Sequence, residues 1–250
     1  MARYGVGIIG AGWVAGEYVK IFSNHPQTEL VGVYNRTPGK AMALLESLGV
    51  EAREYASLDE LFDDERIQII ASCTHPDTRR EHCVRAAETG RHIVIEKPVG
   101  VTLDDSLAIR DAVARAGVKS VTSFVLRWNP QLVTVKRLIA DGVLGDLLYG
   151  EADYWHPLQD VYPGYRSFVS KAQGVSAFVC GGCHAVDTLR YLAGRQDVNE
   201  QVRVLVDAIW SRTTSDEQRR LRYGGSDGWP GVEHLIVPLI PLLRGHSPDH

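Results

Sequence analysis

The first half of the chain alternates between two patterns of apolar positions, one typical of buried strands and the other of amphipathic helices. Short, mainly apolar runs predict strands at 6–9, 30–34, 67–72, 92–96 and 119–124. Apolar residues at helical spacing predict helices between them, at 14–22, 39–48, 78–89 and 103–116. Strands that alternate with helices indicate an α/β fold, with a doubly wound parallel sheet that carries helices on both faces.

The first predicted strand runs directly into a glycine-rich turn. Residues 10–15 have the G-x-G-x-x-A form of a dinucleotide-binding turn, and an apolar helical stripe follows them. Gly10 permits a tight turn, Gly12 leaves room for a pyrophosphate, and Ala15 lets the helix pack on the strand. The first N–H groups of the helix face the anion. The sequence therefore predicts a nucleotide site here, with Trp13 and Val14 among its contacts.

The end of the second predicted strand bears on which cofactor binds. An acid at this position would hydrogen-bond the ribose 2′-hydroxyl of NAD, but the residue is Asn35. Arg36 follows it, and a guanidinium suits a 2′-phosphate. The alternative is that Arg36 is a solvated loop residue. The pattern favours NADP over NAD and leaves both cofactors open, and Asn35 and Arg36 are the predicted cofactor contacts at this strand end.

Composition and charge restrict the classes of partner. Of the 250 residues, 44% are apolar and 23% are charged, and the formal net charge is −4. The chain has no dense Lys/Arg run, which argues against nucleic acid or an anionic membrane as the main partner. No apolar run approaches the ~20 residues needed to span a bilayer. The N-terminus lacks the pattern of a signal peptide, so we expect a cytoplasmic protein with reduced thiols.

The stretch 180–184, Cys-Gly-Gly-Cys-His, permits three interpretations. It has the letters of a covalent haem attachment site, and it could also be half of a zinc site or a redox dithiol. Cys73 and Cys83 are the other cysteines, and their spacing does not supply a second C-x-x-C. In the third interpretation the cysteines are incidental and the histidine belongs to another site.

Two further motifs follow predicted strands and carry a family resemblance. Residues 74–76 are Thr-His-Pro and residues 96–98 are Glu-Lys-Pro. Together with the glycine turn and the sequence segment 90–98, these motifs resemble those of the Gfo/Idh/MocA family. Its members are nicotinamide-dependent dehydrogenases and reductases that act mostly on sugars and polyols. The resemblance implies that Lys97 lies beside the nicotinamide and the reacting hydroxyl, and that Pro98 follows a cis bond. The predicted cofactor contacts in these turns are Thr74, His75, Pro76, Glu96 and Lys97.

The resemblance also implies a Rossmann domain over 1–126 and a second, α+β open-sheet domain over 127–250. Residues 126–130 resemble the crossover between the two, with Asn129 as a cofactor contact. A strand is expected from 145 to 155. By inspection the resemblance ends near residue 195, and the apolar, proline-broken tail predicts a domain that is atypical, truncated or frameshifted after that point. In the family the second sheet often supports oligomers, so a homo-oligomer is one expectation.

The second domain of the family carries a helix that opens with a pattern close to D-x-G-x-H-x-x-D. Gly182, His184 and Asp187 match it, and a helix places the last two on one face. The resemblance makes His184 a proton acceptor, and Asp187 could orient it or a substrate hydroxyl. A histidine capped into the core is the alternative. Cys180 stands where the family often has a carboxylate, and a thiol is a poor acceptor.

Taken together, these observations predict an oxidoreductase that transfers a hydride between NADP(H) or NAD(H) and a hydroxyl or carbonyl carbon of a sugar-like substrate. The predicted catalytic residues are Lys97, His184 and Asp187, and no metal is expected. Because of Cys180, a catalytically impaired nucleotide-binding protein is the alternative. The substrate itself is not predicted. The aromatic residues that either line a sugar pocket or pack in the core are Tyr154, Trp155, His156, Tyr162 and Tyr165.

Overall fold

The computed structural model describes residues 3–147, 149–154 and 178–193. The chain divides into two compact units, Met1–Ser123 and Phe124–His250. The domain boundary predicted from the sequence, after residue 126, stays a prediction. Among the described residues, none of the helices combines the length and the apolar character that a bilayer crossing requires.

The first unit is built on a parallel sheet. Its strands are β1 (Tyr4–Ile9), β2 (Thr28–Tyr34), β3 (Arg53–Tyr55), β4 (Ile67–Ser72), β5 (His92–Ile95) and β6 (Ser120–Thr122). They lie in the order β3-β2-β1-β4-β5-β6, and each neighbouring pair is parallel. This is the strand order of a dinucleotide-binding doubly wound sheet, in which the order reverses between β1 and β4. The predicted fold class is confirmed for this unit.

The helices of the first unit connect these strands. They are α1 (Trp13–Asn24), α2 (Lys40–Leu48), α3 (Leu58–Asp63), α4 (Pro76–Glu88) and α5 (Leu103–Ala116). Helix α5 begins at a capping box, in which the Thr102 and Asp105 side chains each accept the other residue's backbone N–H. It ends at Gly117, whose φ of 66° is the left-handed conformation that terminates many helices.

Two apolar clusters lie on opposite faces of the sheet. Val6 and Ile8 of β1 pack with Ala15 and Val19 of α1 in one cluster, to which α2 also contributes. Ile9 belongs to the other cluster, with residues of α3, α4 and α5. Successive side chains of a strand point to opposite faces, so β1 feeds both clusters. Burial on both faces explains why the strands appear as apolar runs in the sequence.

The boundaries of the predicted elements agree with the structure to within a few residues. Strand 67–72 and helix 103–116 coincide with β4 and α5. Helix α4 begins two residues before the predicted start of 78, because Pro76 occupies its first turn, where the missing N–H is not needed. The strand predicted at 119–124 is shorter, since only Ser120–Thr122 pairs with β5.

The second unit is described in three parts. A 3₁₀ turn (Val125–Trp128) leads into α6 (Pro130–Ala140), and a π turn (Phe178–Gly182) leads into α7 (Cys183–Ala193). The strand predicted from 145 is wrong at 145–147 and 149–154, which form no strand. A strand needs a hydrogen-bonded neighbour, and the described residues of this unit contain none. The predictions for Trp155, His156, Tyr162, Tyr165 and the tail after 195 lie outside the described residues.

Candidate functional site

The turn between β1 and α1 requires a glycine at its first position. Gly10 has a φ of 108°, a conformation that other residues rarely adopt. A Cβ atom at this position would lie 2.8 Å from the Cys73 carbonyl oxygen. The Gly10 N–H also donates to the Tyr34 carbonyl at 2.8 Å. The turn is therefore held between the ends of β2 and β4, with no space for a side chain.

Gly12, unlike Gly10, lies beside open space. Its backbone is extended (φ −83°, ψ −176°), and a Cβ here would meet no atom of the described chain within 4 Å. It is the N-cap of α1, where no hydrogen bond from a described side chain caps the helix. Ala15 is completely buried behind it. Open space beside uncapped N–H groups fits the pyrophosphate of a dinucleotide.

Asn35 has a role that sequence reasoning missed. Its Oδ1 accepts the Ala11 N–H at 3.1 Å, and its Nδ2 donates to the Thr37 carbonyl at 3.1 Å. The side chain thus ties the glycine turn to the end of β2. The neighbouring Arg36 is exposed. The residue type could have indicated this structural role, because Asn side chains commonly hydrogen-bond to nearby backbone groups.

A buried arginine joins the turn after β4 to the turn after β5. Arg79, in α4, is 5% exposed. Its Nε and Nη2 donate to the Thr74 carbonyl at 3.0 and 2.7 Å, and its Nη1 donates to the carbonyls of Glu96 and Pro98. Burial lowers the pKa of Arg79, and the charge of Glu96 opposes this shift. Sequence reasoning missed Arg79, although it shares the buried face of α4 with Cys83 and Ala86.

The Glu-Lys-Pro turn is tied to α1 through a buried carboxylate. Glu96 accepts the Tyr18 hydroxyl at 2.7 Å through Oε1 and the backbone N–H of Lys97 at 3.2 Å through Oε2. The Tyr18 oxygen also lies 2.6 Å from Ser123 Oγ. Burial raises the pKa of Tyr18, which keeps it a neutral donor. Lys97 is half-buried, and its bond to Pro98 is cis, as the resemblance implied.

The Thr-His-Pro turn lies at the start of α4. Thr74 Oγ1 lies 3.4 Å from His82 Nδ1, and burial lowers the pKa of His82. His75 Nδ1 lies 3.0 Å from the Asp77 carboxylate, and Pro76 is the first residue of the helix. These residues follow β4 as Lys97 follows β5, at the carboxyl edge of the sheet where such folds bind ligands.

The remaining predicted site residues belong to the second unit. The buried His184 ring lies 4.7 Å from the Tyr154 ring centroid and 6.2 Å, edge-on, from that of Phe124. Asp187 accepts two hydrogen bonds from Arg127. Asn129 caps α6, with its Oδ1 accepting the backbone N–H of Gln131 at 2.9 Å. The cofactor role of Asn129 and the orienting role of Asp187 stay predictions.

In the part of the chain that the structure describes, the cysteines do not belong to a cluster of metal ligands. There, no group of three or more His, Cys, Asp or Glu side chains is placed to hold a metal ion. Cys183 Sγ, at the start of α7, donates to the carbonyl of Cys180 in the π turn at 3.5 Å. Burial raises the pKa of Cys83 to about 11 and raises that of Cys73 as well, so both are neutral thiols near pH 7.

Family comparisons agree with this geometry. Residues 4–124 match the model of an oxidoreductase family with an NAD-binding Rossmann fold, named GFO_IDH_MocA, and residues 132–223 match the GFO/IDH/MocA C-terminal domain. The chain belongs to the Gfo/Idh/MocA family. The predicted family is thus confirmed, and the second match extends past residue 195, where the resemblance was expected to end.

Curated members of the Gfo/Idh/MocA family are similar to the chain. Glucose-6-phosphate 3-dehydrogenase of Bacillus subtilis is 26% identical over 218 residues, which are 85% of this chain and 60% of that protein. The scyllo-inositol 2-dehydrogenase (NAD(+)) of the same organism is 27% identical over 190 residues, 76% of this chain and 54% of that protein. The chain therefore spans a little over half the length of these relatives.

Solved structures of the Gfo/Idh/MocA family share the fold. An oxidoreductase domain protein from Kribbella flavida superposes with a TM-score of 0.70 at 24% sequence identity, covering 78% of this chain and 55% of that protein. At this level of identity the likeness establishes the fold and no more.

Replacing Gly12 by valine is expected to weaken dinucleotide binding about 100-fold or more, because the side chain would occupy the open space at the N-terminus of α1. Stability should fall by no more than about 1 kcal/mol, the cost of a poor N-cap residue. Isothermal titration with NADH and NADPH, together with urea unfolding, measures both quantities.

Gly16→Ala is the matched control for this prediction. Gly16 lies in α1 like the residues after Gly12, and a Cβ there would make an ordinary contact, 3.6 Å from Leu44 Cδ1 of α2. This variant should bind the dinucleotide like the parent chain. Equal affinities of the Gly12→Val and Gly16→Ala variants would show that the dinucleotide does not lie over this turn.

Proposed function

We propose that the chain is an oxidoreductase that binds NADP(H) or NAD(H) over the glycine turn and transfers a hydride to or from a sugar-like substrate. The observation that carries the proposal is the glycine turn at the point where the strand order reverses. The turn has no space for a side chain at Gly10 and open space beside Gly12. The names of the curated relatives support a polyhydroxylated substrate that reacts at a hydroxyl or carbonyl carbon.

In this proposal the protein supplies charge and a proton acceptor to the reacting oxygen. The bound nicotinamide supplies or accepts the hydride. Lys97, at the end of β5, polarises the substrate oxygen, and His184 of the second unit exchanges its proton. Glu96 holds the Lys97 backbone through its hydrogen bond to the N–H, and Tyr18 holds Glu96.

The cofactor proposed to bind more tightly is NADP(H). Asn35 follows β2 where an acid would bind the ribose 2′-hydroxyl, and its amide is engaged by Ala11 and Thr37. Arg36 is exposed beside it and can pair with a 2′-phosphate. A carboxylate, which would repel that phosphate, is absent from both positions in the sequence.

Titration with NADPH and NADH, followed by tryptophan fluorescence and then by a panel of sugars and polyols, tests the proposal. We expect tighter binding of NADPH and oxidation or reduction of at least one compound. Arg36→Ala should weaken NADPH binding about tenfold or more, the value of a charge-assisted hydrogen bond, and leave NADH binding within about twofold. Equal losses for both cofactors would contradict the assignment of Arg36.

A second candidate function rests on Cys180. This buried residue occupies the position where the family often has a carboxylate, so the chain could bind the cofactor without turnover. This candidate predicts saturable cofactor binding with no hydride transfer across the whole panel. One clearly oxidised substrate rules it out.

A further inference from the structure

The Asp187 carboxylate is committed to a partner other than His184. Arg127 Nε donates to Asp187 Oδ2 at 2.7 Å, and Arg127 Nη2 donates to Oδ1 at 2.6 Å. The Asp187 side chain is 4% exposed, whereas that of Arg127 is 42% exposed. The hydrogen bonds that Arg127 donates to the Asp187 carboxylate raise the pKa of Arg127, as expected for a bidentate ion pair.

The same arginine begins a set of contacts that fix helix α7. Its guanidinium lies 5.6 Å from the ring centroid of Tyr191, one turn after Asp187. Lys136 of α6 lies 5.7 Å from that centroid and donates to the Leu192 carbonyl at 3.1 Å. The 3₁₀ turn and α6 thus contact α7 at Asp187, Tyr191 and Leu192, and the Arg127–Asp187 ion pair is the first of these contacts.

His184 lies one turn before Asp187 on the same helix, so its imidazole depends on how α7 is held. The ring packs against Tyr154 and, edge-on, against Phe124. Phe124 directly precedes the 3₁₀ turn that carries Arg127. A shift of α7 relative to that turn would therefore move the imidazole away from the Phe124 ring.

We propose that Arg127 and Asp187 are positioning residues, which fix α7 and thereby the His184 imidazole, and that the Asp187 carboxylate does not act on the substrate. This inference rests on the proposed function, in which His184 exchanges the substrate proton. It also gives a role to Arg127, a residue to which the sequence assigned none. Asp187 contributes through its ion pair instead of by orienting a hydroxyl.

A pair of apolar replacements separates positioning from catalysis. Apolar residues of similar volume can often replace such an ion pair, while Arg127→Met alone leaves the buried Asp187 carboxylate without its partner and Asp187→Leu alone releases Arg127 from α7. We expect Arg127→Met and Asp187→Leu each to lower kcat about 100-fold, as displaced catalytic groups do. The double variant should recover kcat to within about tenfold of the parent chain. A double variant as slow as Asp187→Leu would overturn the proposal.

The control is Arg137→Met, which removes an exposed arginine from α6 and should leave kcat unchanged. If Arg127→Met does not fold, as judged by circular dichroism, comparing kcat of the double variant with kcat of Asp187→Leu still tests the positioning role. These substitutions keep His184 itself, so a recovered kcat reports on its placement.

An NMR readout keeps this inference distinguishable from the proposed function. The imidazole signals of His184, assigned by comparison with His184→Gln, should shift in Asp187→Leu and return toward their parent positions in the double variant. If the parent chain turned over no sugar, the proposed function would fail while this comparison still reported on the ion pair. Unchanged imidazole signals in Asp187→Leu would refute the positioning role.

Discussion

Replacing Lys97 by methionine is expected to lower kcat about a thousandfold while leaving cofactor affinity within about twofold of the parent chain. The side chain follows β5 at the carboxyl edge of the sheet, and methionine keeps its length without the charge. The Glu96 carboxylate would still accept the N–H of residue 97, so the turn should keep its shape. The loss should therefore fall on the chemical step, which steady-state kinetics with saturating cofactor measures.

Lys119→Met is the matched control for this substitution. Lys119 is an exposed lysine directly before β6, so it lies at the amino ends of the strands, whereas Lys97 lies at their carboxyl ends. Its replacement should leave kcat unchanged. His184→Ala should lower kcat in the same way as Lys97→Met, because both residues act on the substrate oxygen in the proposed reaction. Normal turnover in both the Lys97 and the His184 variants would refute their catalytic roles.

Most of the first unit was predictable because each strand is buried on both faces. Burial of this kind requires apolar residues throughout a strand, so β4 appears as a local run that needs no knowledge of its partners. The glycine turn was equally local, since the backbone conformation at Gly10 restricts the residue type directly. The strand predicted from 145 failed because a strand depends on a neighbour that the local pattern does not specify.

The residues that sequence reasoning missed are joined by long-range hydrogen bonds. Tyr18 belonged to an apolar helical stripe, yet its hydroxyl bonds to Glu96, 78 residues away, and lies beside Ser123, 105 residues away. Arg127 contacts Asp187 across 60 residues. A sequence shows that a side chain can donate a hydrogen bond, but the fold decides which acceptor it reaches. Lys97 could be named as a candidate because its motif is contiguous, and its catalytic role stays a prediction.

Replacing Arg79 by methionine is expected to lower the free energy of unfolding by about 3–5 kcal/mol, the loss typical of breaking a buried charged network. The substitution leaves the carbonyls of Thr74, Glu96 and Pro98 without their donor inside the protein. It also removes the positive charge that attracts the buried Glu96 carboxylate. Urea unfolding followed by circular dichroism measures the change.

The adjacent residue is the control for this effect. Arg80 is 55% exposed and makes a single ion pair with Asp105 at 3.4 Å, so Arg80→Met should change stability by no more than about 0.5 kcal/mol. Arg79→Lys should recover little of the loss, because an ammonium group lacks the planar fork that reaches carbonyls of two different turns. Full stability in Arg79→Lys would mean that the buried charge alone is sufficient. The loss expected in both Arg79 variants follows from the planar shape of the guanidinium, which connects the turn after β4 to the turn that carries Lys97.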